Sequence, residues 1–380
     1  MDARARGGPP GRPRLDLAVL KVLVVNAGST SLKLSLVYED ESARAIESFE
    51  EVGTDALTAV AHRVVHGGAR FRDPVVIDPS VEAEIAALEA LAPLHNAPAV
   101  SGIDQARQAF PDVPHVAVFD TSFHRTIPEE AAVYALPRTW REEWGIRRFG
   151  FHGLSVEWCA ERVPVLLGRP TDGLRLVVCH LGGGCSVTAV SDGRSVDTTM
   201  GFSPLEGIPM TTRSGSLDPG ALLYVLRECS LDADAIDRAL NFDSGITGLA
   251  PGAAGMREIE QAASAGDPDA RLALDVFVHR LTGAVAGMAA AAGGLDALVF
   301  TAGIGEHSAL VRARTCERLG FLGVALDPSR NSGAEPDCDV AANDSRVRVA
   351  VIHAREDLVA ARAARALLDD AATRQRAAGR

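Results

Sequence analysis

The chain has 380 residues, 47% hydrophobic and 23% charged, enough for two separate cores in an ordinary globular protein. Its formal net charge of -12 argues against a nucleic-acid backbone or an anionic membrane as the main partner, so any anion must be held by a local cluster of Arg, Lys or backbone N–H groups. Cys159, Cys179, Cys185, Cys229, Cys316 and Cys338 form no CxxC pair and no apolar signal peptide precedes the first strand, which predicts reduced thiols and a cytoplasmic setting.

Residues 1–19, opening "MDARARGGPPGRPRLD", lack apolar periodicity and read as a disordered tail. Residues 22–37, "VLVVNAGSTSLKLSLV", read as strand, polar glycine turn, strand. A helix is predicted over 81–91, a strand over 115–119, and a polar, aromatic crossover over 140–153. The run "LRLVVC", then "HLGGG", then "CSVTAV" repeats the first strand-turn-strand pattern, which suggests two related halves of one architecture. A hairpin is satisfied by one or two glycines; a third suggests that something, phosphate first, approaches the bare backbone.

Residues 195–220 form a long segment of little periodicity whose Met, Phe, Leu and Ile content predicts an ordered, functional loop. Helices are predicted over 220–228, 232–240 and 267–292. The most bilayer-like stretch, 281–300, is interrupted by Gly293, Gly294 and Asp296 and preceded by His279 and Arg280, so it reads as a buried helix followed by a strand. "DALVFTAGIGEHSALVRARTCERLG" gives strand, Gly-x-Gly turn and helix, a place for an anionic or ribosyl group. A strand over 347–352 and a C-terminal helix from near Glu356 close the chain. Neither a Walker pattern nor a GxGxxG spacing is present, so the phosphate-binding plan is of another kind.

Several side chains along this path suit phosphoryl chemistry. "NAGSTSLK" brings Asn26, Ser29, Ser31 and Lys33 to one turn, suited either to phosphate oxygens and hydrated magnesium or to an Asx/Ser turn closing a hairpin. In "HRVVHGG", Arg63 and Val65 share a strand face, the pairing a small carboxylate with a short alkyl tail needs. "APLHNAP" sets His95 between prolines, as a rigid loop ligand or a turn residue. "VAVFDTSFH" ends an apolar strand on Asp120, "FGFHG" carries His152, and "MTTRSGSLDPG" carries Arg213. Two phosphate-type turns, two Arg, one or two His and a strand-end Asp make a kit for stabilising a transferring phosphoryl group.

At these residues the chain resembles the acetate kinase (acetokinase) family, of the acetate and sugar kinase, Hsp70 and actin superfamily. The resemblance runs from about Val22 to the C-terminal helix through "VNAGSTSLK", "HRVVHGG", "LAPLHNAP", "FDTSFH", "GFHG", "MGFSPLEG", "TRSGSLDP" and "FTAGIGE". It implies an α/β, two-domain ribonuclease H-like (actin/Hsp70/sugar kinase) fold with a duplicated βββαβαβα core and an interdomain cleft. The implied domains are residues 20–150, completed by a C-terminal helix at 358–380, and a nucleotide-binding domain at 151–357. It also implies a homodimer that transfers phosphoryl between ATP and acetate, giving acetyl phosphate and ADP, with magnesium or manganese.

Carried over by motif, Asn26 and Glu356 lie near the metal, and Lys33, Ser29 and Ser31 near the donor phosphates. Arg63 binds the acetate carboxylate, with Val65, Leu94 and Pro204 forming the methyl pocket. His152 and Arg213 stabilise the transition state, with His95 nearby. His180, Gly182, Gly183 and Gly184 line the nucleotide site with Gly303, Ile304, Gly305 and Arg257. Asp120 takes the family's acid/base position. Acetate, however, has a pKa of roughly 4 to 5 and is already ionised at neutral pH, so Asp120 is expected to orient Arg213 or a metal-bound water instead.

The departures from the family pattern fall on the donor side. Gly183 stands where the family has Asn, and Gly255 replaces an Asp in the adenosine segment. His307 replaces an Asn, and Arg355 precedes Glu356. Acetate is the first-choice acceptor. Propionate or butyrate is the neighbouring alternative, since one methylene discriminates by only about 1–3 kcal/mol. An altered phosphoryl donor is a further alternative. A non-catalytic nucleotide switch is the alternative of another class, and retention of Arg63, Asp120, His152 and Arg213 together speaks against it.

Overall fold

The computed structural model describes residues 20–378 apart from 28–31, 55 and 92; the N-terminal tail, Ser29 and Ser31 therefore lie outside the described residues. The strands are β1 Lys21–Ala27, β2 Leu32–Tyr38, β3 Ala43–Ile46, β4 Leu57–Val64, β5 Val75–Val76 and β6 His115–Phe119, then β7 Arg175–Leu181, β8 Cys185–Ser191, β9 Arg194–Thr198, β10 Ala297–Thr301, β11 Cys338–Asp339 and β12 Arg348–Ile352. They form two six-stranded sheets, ordered β3-β2-β1-β4-β6-β5 and β9-β8-β7-β10-β12-β11. Each has an antiparallel three-strand meander, two parallel strands beside it, and a short antiparallel edge strand. The repeated strand-turn-strand pattern is thus an architectural duplication, and the fold is the ribonuclease H-like one the resemblance implied.

The central strands are apolar on both faces because helices cover both, as parallel strands require. Along β1, Val22 and Val24 meet Leu358, Val359 and Ala361 of the helix Glu356–Ala378, while Leu23 and Val25 meet Ala106 of the helix Pro93–Ala109. Along β7, Leu176 and Val178 meet the helix Gly153–Leu167, and Val177 and Cys179 meet Phe277 and Leu281 of the helix Pro268–Ala291. Alternation by two residues assigns each side chain to a face. The helices Gly153–Leu167 and Glu356–Ala378 also meet each other: Leu154 joins the first sheet's core, and Arg362 pairs with Glu161 and lies over Trp158.

Several elements differ from the sequence expectation. The segment 194–198 is β9, an edge strand with few apolar residues, and the loop begins only after it. The helix Met256–Ser264 carries its apolar signal on only Met256 and Ile259 as buried positions, and the sequence reading passed over it. The expected Gly-x-Gly turn closes as the six-residue helix Ala302–His307, entered through Ala302 at φ 64. Helix Pro268–Ala291 is apolar and long enough to span a bilayer by composition, yet Phe277, Val278, Leu281 and Val285 lie fully buried in the second sheet's core. All six cysteines are free thiols.

Candidate active site

Both sheets deliver their central strands, C-terminal ends first, to one place. Asn26 is near the end of β1, Arg63 near the end of β4 and His180 near the end of β7; Asp120 follows β6, and Glu356 opens the helix after β12. Ligands of open α/β sheets bind outside such strand ends. Parallel register sets Asn26 beside Arg63, and Arg63 beside Val118, two residues before Asp120.

Arg63 is the hub. Its Nε and Nη2 donate to Asp120 Oδ1 and Oδ2 at 2.9 and 2.5 Å, a bidentate grip, and its Nη1 donates to Asn26 Oδ1 at 3.0 Å. Glu356 Oε2 stands 3.4 Å from Nη1 and 3.5 Å from Asn26 Nδ2. Of the five N–H groups of a guanidinium, one remains on each terminal nitrogen, enough for a ligand carboxylate. Burial opposes the charge on Arg63, but Asp120 and Glu356 more than offset it and hold its pKa above the ordinary value. Burial pushes the Asp120 carboxyl up while Arg63 pulls it back; the bidentate geometry requires both charges, so the pair is ionised. The expected partner of Asp120 was Arg213 or a metal-bound water. The partner found is Arg63, because β4 and β6 are neighbours and Arg213 lies on a different loop.

His152 precedes the helix Gly153–Leu167 at φ 59, ψ 24, in the left-handed region. Its conformation is held from both sides. Gly153 N–H donates to Asp120 O at 2.9 Å, and a Cβ on Gly153 would stand 2.1 Å from that oxygen, so only glycine permits the approach. The His152 ring stacks on His180, centroids 4.0 Å apart, and its Nδ1 lies 3.0 Å from Ser186 Oγ. Burial, then His180, Arg63 and Arg213, hold His152 well below the ordinary histidine pKa; burial and Arg63 bring His180 to about 4. Both rings are neutral at pH 7.

Arg213 comes from the loop after β9. Its Nη1 donates to Pro204 O at 3.3 Å, and burial lowers its pKa. The Cβ that Gly184 lacks would lie 3.2 Å from His152 Nε2 and 3.5 Å from Arg213 Nη1, so both groups converge on the space above the glycine turn. Val65 is buried beside Phe151, Met200 and Ile208, and Pro204 is half-buried on the same loop. The side chains of Leu94 and His95 lie outside the described residues, although their backbone opens the helix Pro93–Ala109.

Donor-side residues are more open. Gly182 and Gly184 are half-buried; Gly183 is exposed, with nothing within 4 Å of the Cβ it lacks, and so is Gly303. Gly305 packs against Phe300 and Cys179, and Ile304 is half-buried. Lys33 is exposed and is the cross-strand partner of Asn26, hence on the same sheet face. Arg257 is exposed on the helix Met256–Ser264, which Gly255 leaves without a side-chain N-cap. Arg355 turns away to Asp357 Oδ1 at 3.2 Å.

No group of three or more His, Cys, Asp or Glu able to hold a metal occurs among the described residues. Glu356 brings one carboxylate oxygen, Oε2, next to Asn26, whose Nδ2 donates to it at 3.5 Å and whose Oδ1 accepts from Arg63 Nη1. One such carboxylate fits magnesium, which keeps several waters and takes its remaining ligands from phosphates, and does not fit a closed cage.

Sequence reasoning passed over the residues that support these groups. Asn96 is buried and exchanges hydrogen bonds with the backbone of His66. Arg148 donates to the carbonyls of Thr198, Thr199 and Met200 and to Glu206, anchoring the loop that carries Pro204 and Arg213. The buried Glu306 carboxylate accepts from the N–H groups of Ala302 and Ala354 at 3.0 Å each, tying together the turns after β10 and β12. Only Glu306 had a local signal, the last letter of "TAGIGE". A cavity of about 600 Å³ behind the 199–218 loop, lined by Arg148, Asp197, Ser214, Asp243 and Arg280 among others, contains none of the predicted site residues.

Comparison with known proteins places this geometry in context. The Acetokinase family profile matches residues 45–362. The acetate kinase of Nostoc punctiforme is 49% identical over 318 residues, covering 84% of this chain and 77% of its own. Among solved structures, a propionate kinase from Francisella tularensis superposes with a TM-score of 0.83 at 35% identity, covering 90% of this chain and 98% of that one. The acetate kinase of Porphyromonas gingivalis superposes with 0.82 at 32%, covering 92% and 100%.

Proposed function

The chain belongs to the acetokinase family, and on that premise we propose that it is an acetate kinase, transferring the γ-phosphoryl group of ATP reversibly to acetate. The observation that carries this reading is the convergence of Arg63, Asp120, His152, His180 and Arg213 at the strand ends of two duplicated sheets. Simple nucleotide binding does not need so many cationic and neutral donors around one point.

The chemistry is mainly positioning and charge. Arg63, pre-oriented by Asp120, offers its two remaining N–H groups to the acetate carboxylate, and Val65, Leu94 and Pro204 receive the methyl group. His152 and Arg213 face the phosphoryl oxygens across Gly184 and offset the charge that develops on them. His95 belongs with the substrate-binding residues, near this pair. Asp120 acts as an anchor and not as a base, because acetate arrives ionised and both carboxylate oxygens of Asp120 are engaged by Arg63. Asn26 and Glu356 would hold magnesium or manganese, which supplies charge neutralisation between the β- and γ-phosphates when bound. Lys33, Ser29 and Ser31, together with His180, Gly182, Gly183, Gly184, Gly303, Ile304, Gly305 and Arg257, form the donor side.

The same reading assigns residues 20–150 and the C-terminal helix to one domain and 151–357 to the other, with the core formed by Leu358, Val359 and Ala361 on the first sheet in its support. It also includes a homodimer in the cytoplasm, where six free thiols persist.

Hydroxylamine trapping of acyl phosphate tests the proposal, with the divalent metal present, across acetate, propionate and butyrate and across ATP, GTP and pyrophosphate. Acetyl hydroxamate formed preferentially with ATP is the expected result. Preference for propionate would move the assignment to the activity named for the Francisella tularensis protein. Activity with another donor would locate the divergence at Gly183 and Gly255, and no product from any pair in a folded, nucleotide-binding protein would overturn it.

A further inference from the structure

The two stacked imidazoles share a detail that the mechanism above leaves unused. His152 Nδ1 lies 3.0 Å from Ser186 Oγ, and His180 Nδ1 lies 2.8 Å from Ser155 Oγ. Both serines are 0% exposed. Neither hydroxyl has another hydrogen-bond partner among the described residues.

A serine hydroxyl has one proton to place, and leaving it unused in a buried site costs about 1–3 kcal/mol. Among the described residues the only acceptor within reach of each is an imidazole Nδ1. Each O–H therefore donates to Nδ1, which must be unprotonated, and the ring proton of a neutral histidine then sits on Nε2. His124, behind the site, shows the same arrangement where a carbonyl forces the answer. Its Nε2 lies 2.9 Å from Phe151 O, which can only accept, and its Nδ1 lies 2.9 Å from Ser195 Oγ.

From this geometry we infer that Ser186 and Ser155 are positioning residues that fix His152 and His180 in the Nε2–H tautomer, so that both rings turn hydrogen-bond donors toward the reacting phosphoryl group. The last clause rests on the proposed phosphoryl transfer; the tautomers do not. A ring protonated on Nδ1 would instead set an Nε2 lone pair against phosphate oxygens, which repel it. The low pKa of both rings keeps a second proton off at neutral pH, so the tautomer alone decides donor or acceptor.

The test is long-range ¹H–¹⁵N correlation spectroscopy of the full chain near neutral pH, with resonances assigned through single histidine variants. The wild type is expected to show bare Nδ1 and protonated Nε2 in both rings. Ser186→Ala should shift the tautomer balance of His152 alone, and Ser155→Ala that of His180 alone, a selectivity that general loss of packing would not produce. Ser186→Ala should also lower kcat about 10- to 100-fold, as for other partners that orient a functional histidine, with KM for acetate and ATP within about twofold. A wild-type Nδ1–H form in either ring, or variants that leave the tautomers unmoved, would overturn the inference. Tautomers that respond as stated in a protein that makes no acyl phosphate would support the assignment and sink the proposed function instead. Acyl phosphate formation with unresponsive tautomers would do the reverse.

Discussion

Asp120, on the proposed acyl-phosphate side of the cleft, is 0% exposed and spends both carboxylate oxygens on Arg63. Gly183 and Gly303, on the proposed donor side, are exposed, and nothing lies within 4 Å of the Cβ either would carry. One side is assembled before any ligand arrives, through buried charge pairs and histidines that cannot relax without cost. The other is bare backbone around open space. The difference sets how each side would take a change: a side chain at Gly183 would enter open space, while Arg63, Asp120, His152 and Arg213 each have neighbours that would be stranded.

The comparison can be broken first at its most rigid point. Asp120→Asn removes the bidentate partner of a buried guanidinium and should cost about 3–5 kcal/mol of stability, read as a fall in the urea midpoint at unchanged slope. A midpoint that does not move would mean that Asn26 and Glu356 hold Arg63 unaided.

Arg213→Ala tests the same side by rate. It should reduce kcat by about 100- to 1000-fold, roughly 3–4 kcal/mol in the barrier, while ATP affinity measured by calorimetry changes little. A large loss of nucleotide affinity would place Arg213 on the donor side and erase the distinction.

Acid should weaken the molecule through its buried histidines. Burial holds His66, His124 and His180 at about 4, against an ordinary 6.5. The unfolded chain then takes up protons near 6.5 that the folded one refuses until about 4. Stability is therefore full above 6.5 and falls as pH drops through that window, by as much as about 3 kcal/mol per histidine. Denaturation midpoints measured between pH 7.5 and 4.5 should decline steadily; a flat profile would show that the three rings take up protons as readily in the fold as in the unfolded chain.

The smallest effect is expected on the open side. Gly183→Asn adds a donor where there is room, so stability should stay within about 0.5 kcal/mol and kcat should hold, while KM for ATP falls. A destabilised variant would show that the glycine turn is tighter than its geometry indicates.

Much of this was legible before the fold. The run 22–37 declared two strands and a turn, and β1 and β2 occupy it with one-residue differences at the outer ends. The strand at 115–119 matched β6 residue for residue. The helices Pro268–Ala291 and Glu356–Ala378 announced themselves in the sequence, whereas Pro93–Ala109, read as a loop or turn around His95, and Gly153–Leu167 were missed. The misses have local causes. β9 and the helix Met256–Ser264 carry too few buried apolar residues to show a period. Among site residues, Asp120 was visible as a strand-end carboxylate, but its partner was not. Ser155 and Ser186 gave no signal, since a serine beside a helix start or within a strand is ordinary.

Sequence by itself laid out most of the strands, the duplication of their pattern and the candidate reactive side chains, because propensity and alternation act over a few residues. Tertiary structure alone decided who meets whom. Arg63 finds Asp120 across 57 residues, Asn26 finds Glu356 across 330, and His152 finds Ser186 across 34. Those partnerships depend on parallel register between β4 and β6, and on two helices locked between the sheets. Hydrogen bonds and ion pairs respond to through-space distances of about 3 Å, which no spacing along the chain specifies.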